Sequence, residues 1–350
     1  MRAVILAGGE GTRLRPLTLT TPKPVVPVVD RPLLRHQLDL LAGAGVREVV
    51  FSVAYRPERV EAVFGDGSAF GLRIRYAVED TPLGTGGAVR HALPHLDERT
   101  IVLNGDILTD VDLGAVLLRH EREGASATIL LAPVPNPEAY GLVETDPAGR
   151  VLRFLEKPRP EQITTNTINA GVYVLETRVL DLMPEGVNYS IERGFFPALL
   201  DRGDRVLGPV HRGYWIDVGT PEKYLQVHRD ILNGRFRVPL DGAPRAEGFV
   251  HPTARVSEGA LLDGPFYVGP GCEVEAGARL GPDAVLVADA RVRSGAYLRD
   301  SVVWQGVEVG PDCEVQGCLI GQGVRLGRSS LLRRAVLGEG SAISDYSRTL

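Results

Sequence analysis

The chain has 350 residues, 44% apolar and 24% charged, the profile of a soluble globular protein with room for two or three domains. Its 39 basic and 44 acidic residues leave a formal charge of −5, which argues against a general nucleic-acid binder, and no run of about 18 apolar residues predicts a membrane span. The first nine residues pass from a short apolar stretch into glycines, as a first strand does and a secretory signal does not, and three cysteines (Cys272, Cys313, Cys318) cannot build a disulfide framework, so the chain reads as cytoplasmic.

In chain order, apolar or β-branched runs alternate with helical patterns. Strands are predicted at Arg2–Ala7, Glu48–Val53, Arg73–Val78 and Ile101–Leu103, with helices at Leu33–Leu41, Pro57–Phe64 and Ala88–Leu96 between them. Further strands are predicted at Ala127–Ala132, Val151–Leu155, Ile168–Leu175 and Arg205–Pro209, and helices at Leu113–Glu123, Ile191–Asp201 and Pro221–Asn233. Such alternation predicts an α/β fold, a mostly parallel sheet with helices on its faces, which takes ligands beyond the carboxyl ends of its strands.

After about Gly234 the texture changes. Residues 234–248 carry Pro239, Pro244 and several Gly and Arg, and read as a linker. An apolar residue then recurs every six positions from Val250 through Val256, Leu262, Val268, Val274, Leu280, Leu286 and Val292 to Leu298. The register drops by one at Val303, again at Ile320 and again at Leu337, so repeats 18 residues apart become repeats 17 apart. A small residue often stands four places after each apolar one, as at Ala254, Ala260, Cys272 and Ala278. Three such hexads per turn predict a triangular parallel β-helix of about five coils over residues 249–345. Cys313 and Cys318 then read as buried small residues of the prism rather than a metal site.

The first strand ends in Leu6-Ala7-Gly8-Gly9-Glu10-Gly11-Thr12-Arg13. Glycines let backbone N–H groups approach a phosphate closely. The loop lacks the Gly-Lys-Ser/Thr of a Walker A motif, and Leu14 stands where a dinucleotide fingerprint needs a third glycine. Glycines alone fit a structural turn as well as a phosphate site. Arg13, Arg15 and Lys23, the last in the stiff extended segment Thr21-Pro22-Lys23-Pro24, tip the reading toward phosphate. Of the 39 basic residues 36 are Arg, which singles out Lys23, Lys157 and Lys223 for roles that arginine does not fill.

This stretch resembles the sugar-1-phosphate nucleotidyltransferase family, whose signature is Leu-Ala-Gly-Gly-x-Gly-Thr-Arg-Leu followed by Pro-Lys-Pro. The resemblance implies a Rossmann-like catalytic domain over residues 1–233 and, after the linker, a left-handed parallel β-helix. It implies that Leu6, Ala7, Gly8, Gly9, Gly11 and Thr12 wrap a nucleoside triphosphate while Arg13 and Lys23 act on its phosphates. Asp106, in Asn104-Gly105-Asp106, and Asp217, in Trp215-Ile216-Asp217, match the family's Mg²⁺ ligands, and two carboxylates suffice for that ion. Glu79, Gly84 and Thr85 match the base-reading segment. Lys157 matches the residue on the sugar phosphate, and Glu156, Tyr140, Gly141, Asn169, Gly171 and, more loosely, Glu192 match the sugar pocket. A carboxylate at Glu79 accepts from both N1–H and the exocyclic amine of guanine, which favours GTP.

Within the family the combined motifs look most like the mannose-1-phosphate guanylyltransferase branch, with glucose-1-phosphate thymidylyl- and uridylyltransferases close behind. The resemblance implies direct in-line transfer with pyrophosphate leaving. A catalytically weak regulatory homologue is a second reading, and an acyltransferase in the β-helix, resting on His251, a third. The partners implied are a nucleoside triphosphate and a sugar 1-phosphate, with no nucleic acid and no membrane. The faces and end of the prism suggest a homo-oligomer. Lys223 matches no family site, and its replacement by Arg is expected to be silent.

Overall fold

β1 (Arg2–Leu6) sits mid-sheet, and Ala3, Val4 and Ile5 are wholly buried, as an uninterrupted apolar run requires when both faces are covered. In this computed structural model, which describes residues 1–245 and 247–349, contacts divide the chain into two compact units. Unit 1 is Met1–Gly9 with Leu34–Trp215, and unit 2 is Glu10–Leu33 with Ile216–Leu350. Ala246, inside the expected linker, and Leu350 lie outside the described residues.

Unit 1 is an α/β sandwich. After β1 come α1 (Leu33–Gly43), β2 (Glu48–Val53), α2 (Pro57–Phe64), β3 (Arg73–Val78), α3 (Gly84–Ala92) and β4 (Arg99–Asn104). They are followed by α4 (Leu113–Arg122), β5 (Ala127–Pro133), β6 (Gly141–Thr145), β7 (Val151–Glu156), β8 (Thr167–Glu176) and α5 (Phe196–Asp201). The sheet runs β7-β6-β8-β4-β1-β2-β3, with β5 and Val206–Leu207 continuing from β8. β1 lies parallel to β2 and β4, and β2 parallel to β3, so the carboxyl ends of these four strands share one edge. β8 runs antiparallel to β4, β5 and β6. Local chemistry sets the helix starts: Asp112 caps α4 by accepting from the Ala115 N–H at 3.0 Å.

The structure departs from the sequence reading at several places. β6 was not anticipated, since Gly-Leu-Val-Glu-Thr is too short to show a period. α3 starts at Gly84, inside a glycine-rich run that reads as loop, and gives way after Ala92 to a 3₁₀ turn. Helix wins there because the run packs backbone on backbone: a Cβ on Gly87 would meet the Val187 carbonyl oxygen at 2.6 Å. The expected helix Ile191–Asp201 opens as a π-turn, Ile191–Phe195, before α5. Lys23 is not in extended chain either. It opens a 3₁₀ turn with Pro24 in its second place, where a fixed φ suits helical geometry.

Unit 2 holds α6 (Pro221–Leu232) and the parallel β-helix. Thr220 caps α6, with its hydroxyl oxygen accepting from the Lys223 N–H. The hexads wind into three parallel sheets. Val250, Val268, Leu286, Val303, Ile320 and Leu337 stack in the first, Val256, Val274, Val292, Val309, Leu326 and Ile343 in the second, and Leu262, Leu280, Leu298, Val315 and Leu332 in the third. Most of these side chains form one buried cluster with Cys272, Cys313 and Cys318. Burying each contributes about 1.5–3 kcal/mol for the larger apolar residues. Burial also pushes the Cys272 thiol up to about 12. The register slip is a shortened corner between the third sheet and the first. It is turned by Asp300 (φ 49°), Gly317 (φ 66°) and Arg334 (φ 51°), one per coil. Residues 234–248 are not bare: Ala243–Arg245 pairs antiparallel with Gly248–Val250, and the Asp241 carbonyl accepts from the Tyr267 hydroxyl at 2.9 Å.

Candidate active site

In unit 1 the candidate residues gather at the shared carboxyl edge. Gly8 follows β1, Glu79 follows β3, and Asn104-Gly105-Asp106 closes β4. The Gly105 N–H donates to the Leu6 carbonyl at 2.9 Å, and a Cβ on Gly105 would lie 2.6 Å from that oxygen. Only glycine lets the two strand ends meet this closely, which sets Asp106 beside the start of the glycine loop.

Glu79 is 7% exposed and held at both oxygens. Ser52, near the end of β2, donates its hydroxyl to Oε1 at 2.7 Å, and the Leu83 N–H donates to Oε2 at 2.8 Å. A Cβ on Gly8 would stand 3.3 Å from Oε1, so the carboxylate faces the loop. Each oxygen keeps a second lone pair for a base donor. Ser52 was not legible as a site residue, because a serine inside an apolar strand carries no motif.

Gly84 and Thr85 start α3. The Gly86 and Gly87 N–H groups of that first turn donate to the Tyr189 carbonyl, at 2.8 and 3.1 Å. Thr85 donates its hydroxyl to Glu192 Oε2 at 2.7 Å and accepts from the Ile191 N–H at 2.9 Å. The Ser190 hydroxyl also donates to Glu192 at 2.7 Å. The segment expected to read the base and Glu192 are therefore one hydrogen-bonded cluster, although 107 residues separate Thr85 from Glu192.

The sugar-side candidates lie around β6, β7 and β8. Burial raises the Glu156 carboxyl above its ordinary range, and the charge of Glu192 adds to the effect, so these two carboxylates feel one another. Gly141 lies under Phe154 and Glu156, where a Cβ would come within 2.7 Å of the Phe154 ring and 3.0 Å of Glu156 Oε2. Lys157 has φ 51°, in the left-handed region that a side chain rarely takes, and its N–H donates to the Tyr140 carbonyl at 2.9 Å. That turn ends β7 and leaves the lysine exposed. Asn169 donates to the Tyr173 hydroxyl at 2.8 Å, while Gly171 (φ 73°) packs on Asn104. Trp215 meets Tyr140 edge to face at 5.7 Å and donates Nε1–H to the Ala170 carbonyl at 2.8 Å. This aromatic wall had only its motif as a signal.

Unit 2 carries the remaining candidates. Gly11 has φ 65°, and a Cβ there would lie 3.1 Å from Lys23 Cβ, so the loop needs glycine both for conformation and for room. The Lys23 side chain runs across it, 9% exposed. Thr12 and Arg13 form a 3₁₀ turn with Leu14. The Arg13 guanidinium covers Gly219, where a Cβ would sit 2.8 Å from Nη2. Gly219 closes a turn on Asp217 through its N–H to the Asp217 carbonyl at 2.8 Å. Arg13 thus packs on the glycine that closes the Asp217 turn. Lys223 Nζ makes an ion pair with Asp217 Oδ1. Lys223, which matches no family site, thus has a partner: the first turn of α6 returns it to Asp217.

Asp106 in unit 1 and Asp217 in unit 2 each offer the hard oxygen donors that Mg²⁺ takes, and Asp217 attracts a cation in the Lys223 ammonium, so each carboxylate is chemically suited to that ion. Residues 2–234 match the sequence family described as nucleotidyl transferase, and residues 245–337 match one described as the GMPPB C-terminal domain.

The chain belongs to the nucleotidyl transferase family. It is 44% identical over 298 residues to the mannose-1-phosphate guanylyltransferase of Mycobacterium tuberculosis, covering 85% of this chain and 82% of that protein. It is 31% identical over 338 residues to a UTP–glucose-1-phosphate uridylyltransferase of Synechocystis sp., covering 91% and 87%. Among solved structures it resembles HddC from Yersinia pseudotuberculosis, a crystal structure complexed with GMP-PN, at 28% identity and TM-score 0.56 over 65% of this chain and 97% of that one. As a family member the chain is a nucleotidyltransferase. No helix among the described residues is long and apolar enough to cross a membrane.

Proposed function

We propose that this enzyme joins GTP to mannose 1-phosphate, giving GDP-mannose and pyrophosphate. The observation that carries the choice of base is the buried Glu79 carboxylate, fixed by Ser52 and Leu83 beside Gly8. It offers only acceptors, which guanine's N1–H and amine match and thymine or uracil match less well. The mannose-1-phosphate guanylyltransferase relative supports the sugar.

A phosphate oxygen of mannose 1-phosphate attacks the α-phosphorus of GTP. A new P–O bond forms there while the bond to the departing pyrophosphate breaks. The attacking phosphate is already ionised at neutral pH, so no enzyme nucleophile is needed, and catalysis is positioning plus charge stabilisation. Leu6, Ala7, Gly8, Gly9, Gly11 and Thr12 present backbone to the triphosphate. Arg13 and Lys23 offset the charge gathering on pyrophosphate. Lys157 aligns the attacking phosphate, with Tyr140, Gly141, Glu156, Asn169, Gly171 and Glu192 around the sugar. Gly84 and Thr85 hold the base-reading segment in place. Asp106 and Asp217 would hold Mg²⁺, which when bound supplies positive charge to the phosphates. The working division is a catalytic domain at 1–233, a connecting segment at 234–248 and a β-helix at 249–345 that assembles copies of the chain in the cytoplasm.

A matrix of four nucleoside triphosphates against mannose, glucose and N-acetylglucosamine 1-phosphates, read by pyrophosphate release, tests the assignment. GTP with mannose 1-phosphate is expected to give the highest kcat/KM. A preference for UTP with glucose 1-phosphate would move the chain to the other branch, and no turnover with any pair would make it a regulatory homologue. Lys23→Ala and Asp217→Asn are each expected to lower turnover by about 10²–10³. Sedimentation velocity at micromolar concentration is expected to show an oligomer, and a monomer alone would refute assembly.

A further inference from the structure

The third lysine stands where the proposed metal chemistry needs an explanation. Asp217 is largely buried and Lys223 is one-third exposed, so their ion pair is only partly screened by water. The pair is built by local structure. Thr220 caps α6, Lys223 is the helix's third residue, and the Asp217–Gly219 turn folds the carboxylate back toward that first turn. Arg13 packs on the same turn at Gly219. Asp217 is therefore a carboxylate with the Lys223 ammonium bonded to Oδ1 and the Arg13 guanidinium on the glycine that closes its turn.

We propose that Lys223 is the resident counter-ion of Asp217, a positioning residue that sets how readily a divalent cation binds there. The inference rests on the reading of Asp217 as a metal ligand. A carboxylate in a largely buried turn is costly without positive charge beside it, and the lysine lowers that cost before any metal arrives. An ammonium is a compact point charge on a flexible stem. It takes one carboxylate oxygen and is able to withdraw or share when a divalent ion approaches the carboxylate. A guanidinium in its place would fork across both oxygens and block the ion. Arginine-rich though the chain is, this position has chemistry that favours lysine. Metal affinity is set by competition: each cation favours the other's departure, because both draw on one negative charge.

The test is Mn²⁺ binding to the full-length, nucleotide-free protein, followed by the electron paramagnetic resonance signal of free Mn²⁺. Lys223→Met is expected to bind Mn²⁺ roughly three- to tenfold more tightly than wild type, and Lys223→Arg more weakly. In EDTA, Lys223→Met is expected to melt below wild type, and Mn²⁺ should close that gap. Asp217→Asn separates the two layers of the reading. If Asp217→Asn binds Mn²⁺ like wild type, the metal assignment itself fails. If Asp217→Asn loses the ion while Lys223→Met matches wild type, only the role of Lys223 fails. Equal titrations of wild type and Lys223→Met, whether both bind or neither does, overturn the inference.

Discussion

His120 is wholly buried at the end of α4, and its ring bonds are all to neighbouring side chains. Nδ1 lies 2.8 Å from the Thr128 hydroxyl and Nε2 lies 3.1 Å from Glu176 Oε1. Burial holds the imidazole below its ordinary range, and Arg99 works in the same direction against the carboxylates of Glu176 and Glu121. The neutral ring therefore accepts from Thr128 and donates to Glu176. A folded-state pKa below the unfolded value of about 6.5 means that the unfolded chain binds the extra proton first. The stability this group contributes is complete above about pH 6.5 and is lost as pH falls through the folded value. Burial works to raise the Glu176 carboxyl, yet bonds from Arg99 and His120 hold it low, so its share is lost in turn at more acid pH. The thermal midpoint of wild type is expected to fall between pH 7.5 and pH 5.5, and His120→Gln to fall less over that interval. An equal fall in both proteins would refute the role of His120.

At the scale of elements, legibility followed periodicity. The three sheets of the β-helix were readable position by position, because one inward apolar residue per hexad is forced by the prism's narrow core. The parallel strands β1, β2 and β4 were readable because burial on both faces writes continuous apolar runs, and the edge strand β3 because its exposed Arg73 and Arg75 alternate with the buried Ile74. α3 was misplaced because Gly84, Gly86 and Gly87 weaken helix propensity, and the compensating contacts with residues 187–191 are far away in sequence. The same limit applies to the site. Motifs pointed to Glu79 and Glu192, but the pairings that hold them, Ser52 with Glu79 across 27 residues and Thr85 with Glu192 across 107, emerge only when strand edges and helix starts are folded together. Spacing along the chain records what a backbone segment does. It does not record which distant side chain satisfies a buried carboxylate.

Across the molecule, packing and motifs divide the chain differently, and the difference has a consequence for catalysis. Residues 10–33 carry Arg13 and Lys23 and match the family together with the rest of 2–234, yet they pack with α6 and the β-helix. Tyr224 of α6 donates its hydroxyl to the Pro27 carbonyl and accepts from Trp304 Nε1 of the β-helix at 3.1 Å. The Val29 N–H donates to His228 Nδ1 at 3.2 Å, and the Arg229 guanidinium forks onto Asp300 at 2.6 and 2.7 Å. Pro16 lies against Gly338 in the last coil, where an added Cβ would come within 3.1 Å. The β-helix is therefore part of the scaffold that holds Arg13 and Lys23, the cations proposed to act on the phosphates. Displacing such groups by about 1 Å costs on the order of 10² in rate. A chain cut after residue 233 is expected to keep the far-ultraviolet dichroism of its α/β sheet and to lose turnover by about that factor. In the full-length protein, Gly338→Val tests the same support without deletion and is expected to lower kcat while leaving the melting of the sheet unchanged. Turnover within a few-fold of wild type in both proteins would show that residues 10–33 hold their conformation without the β-helix.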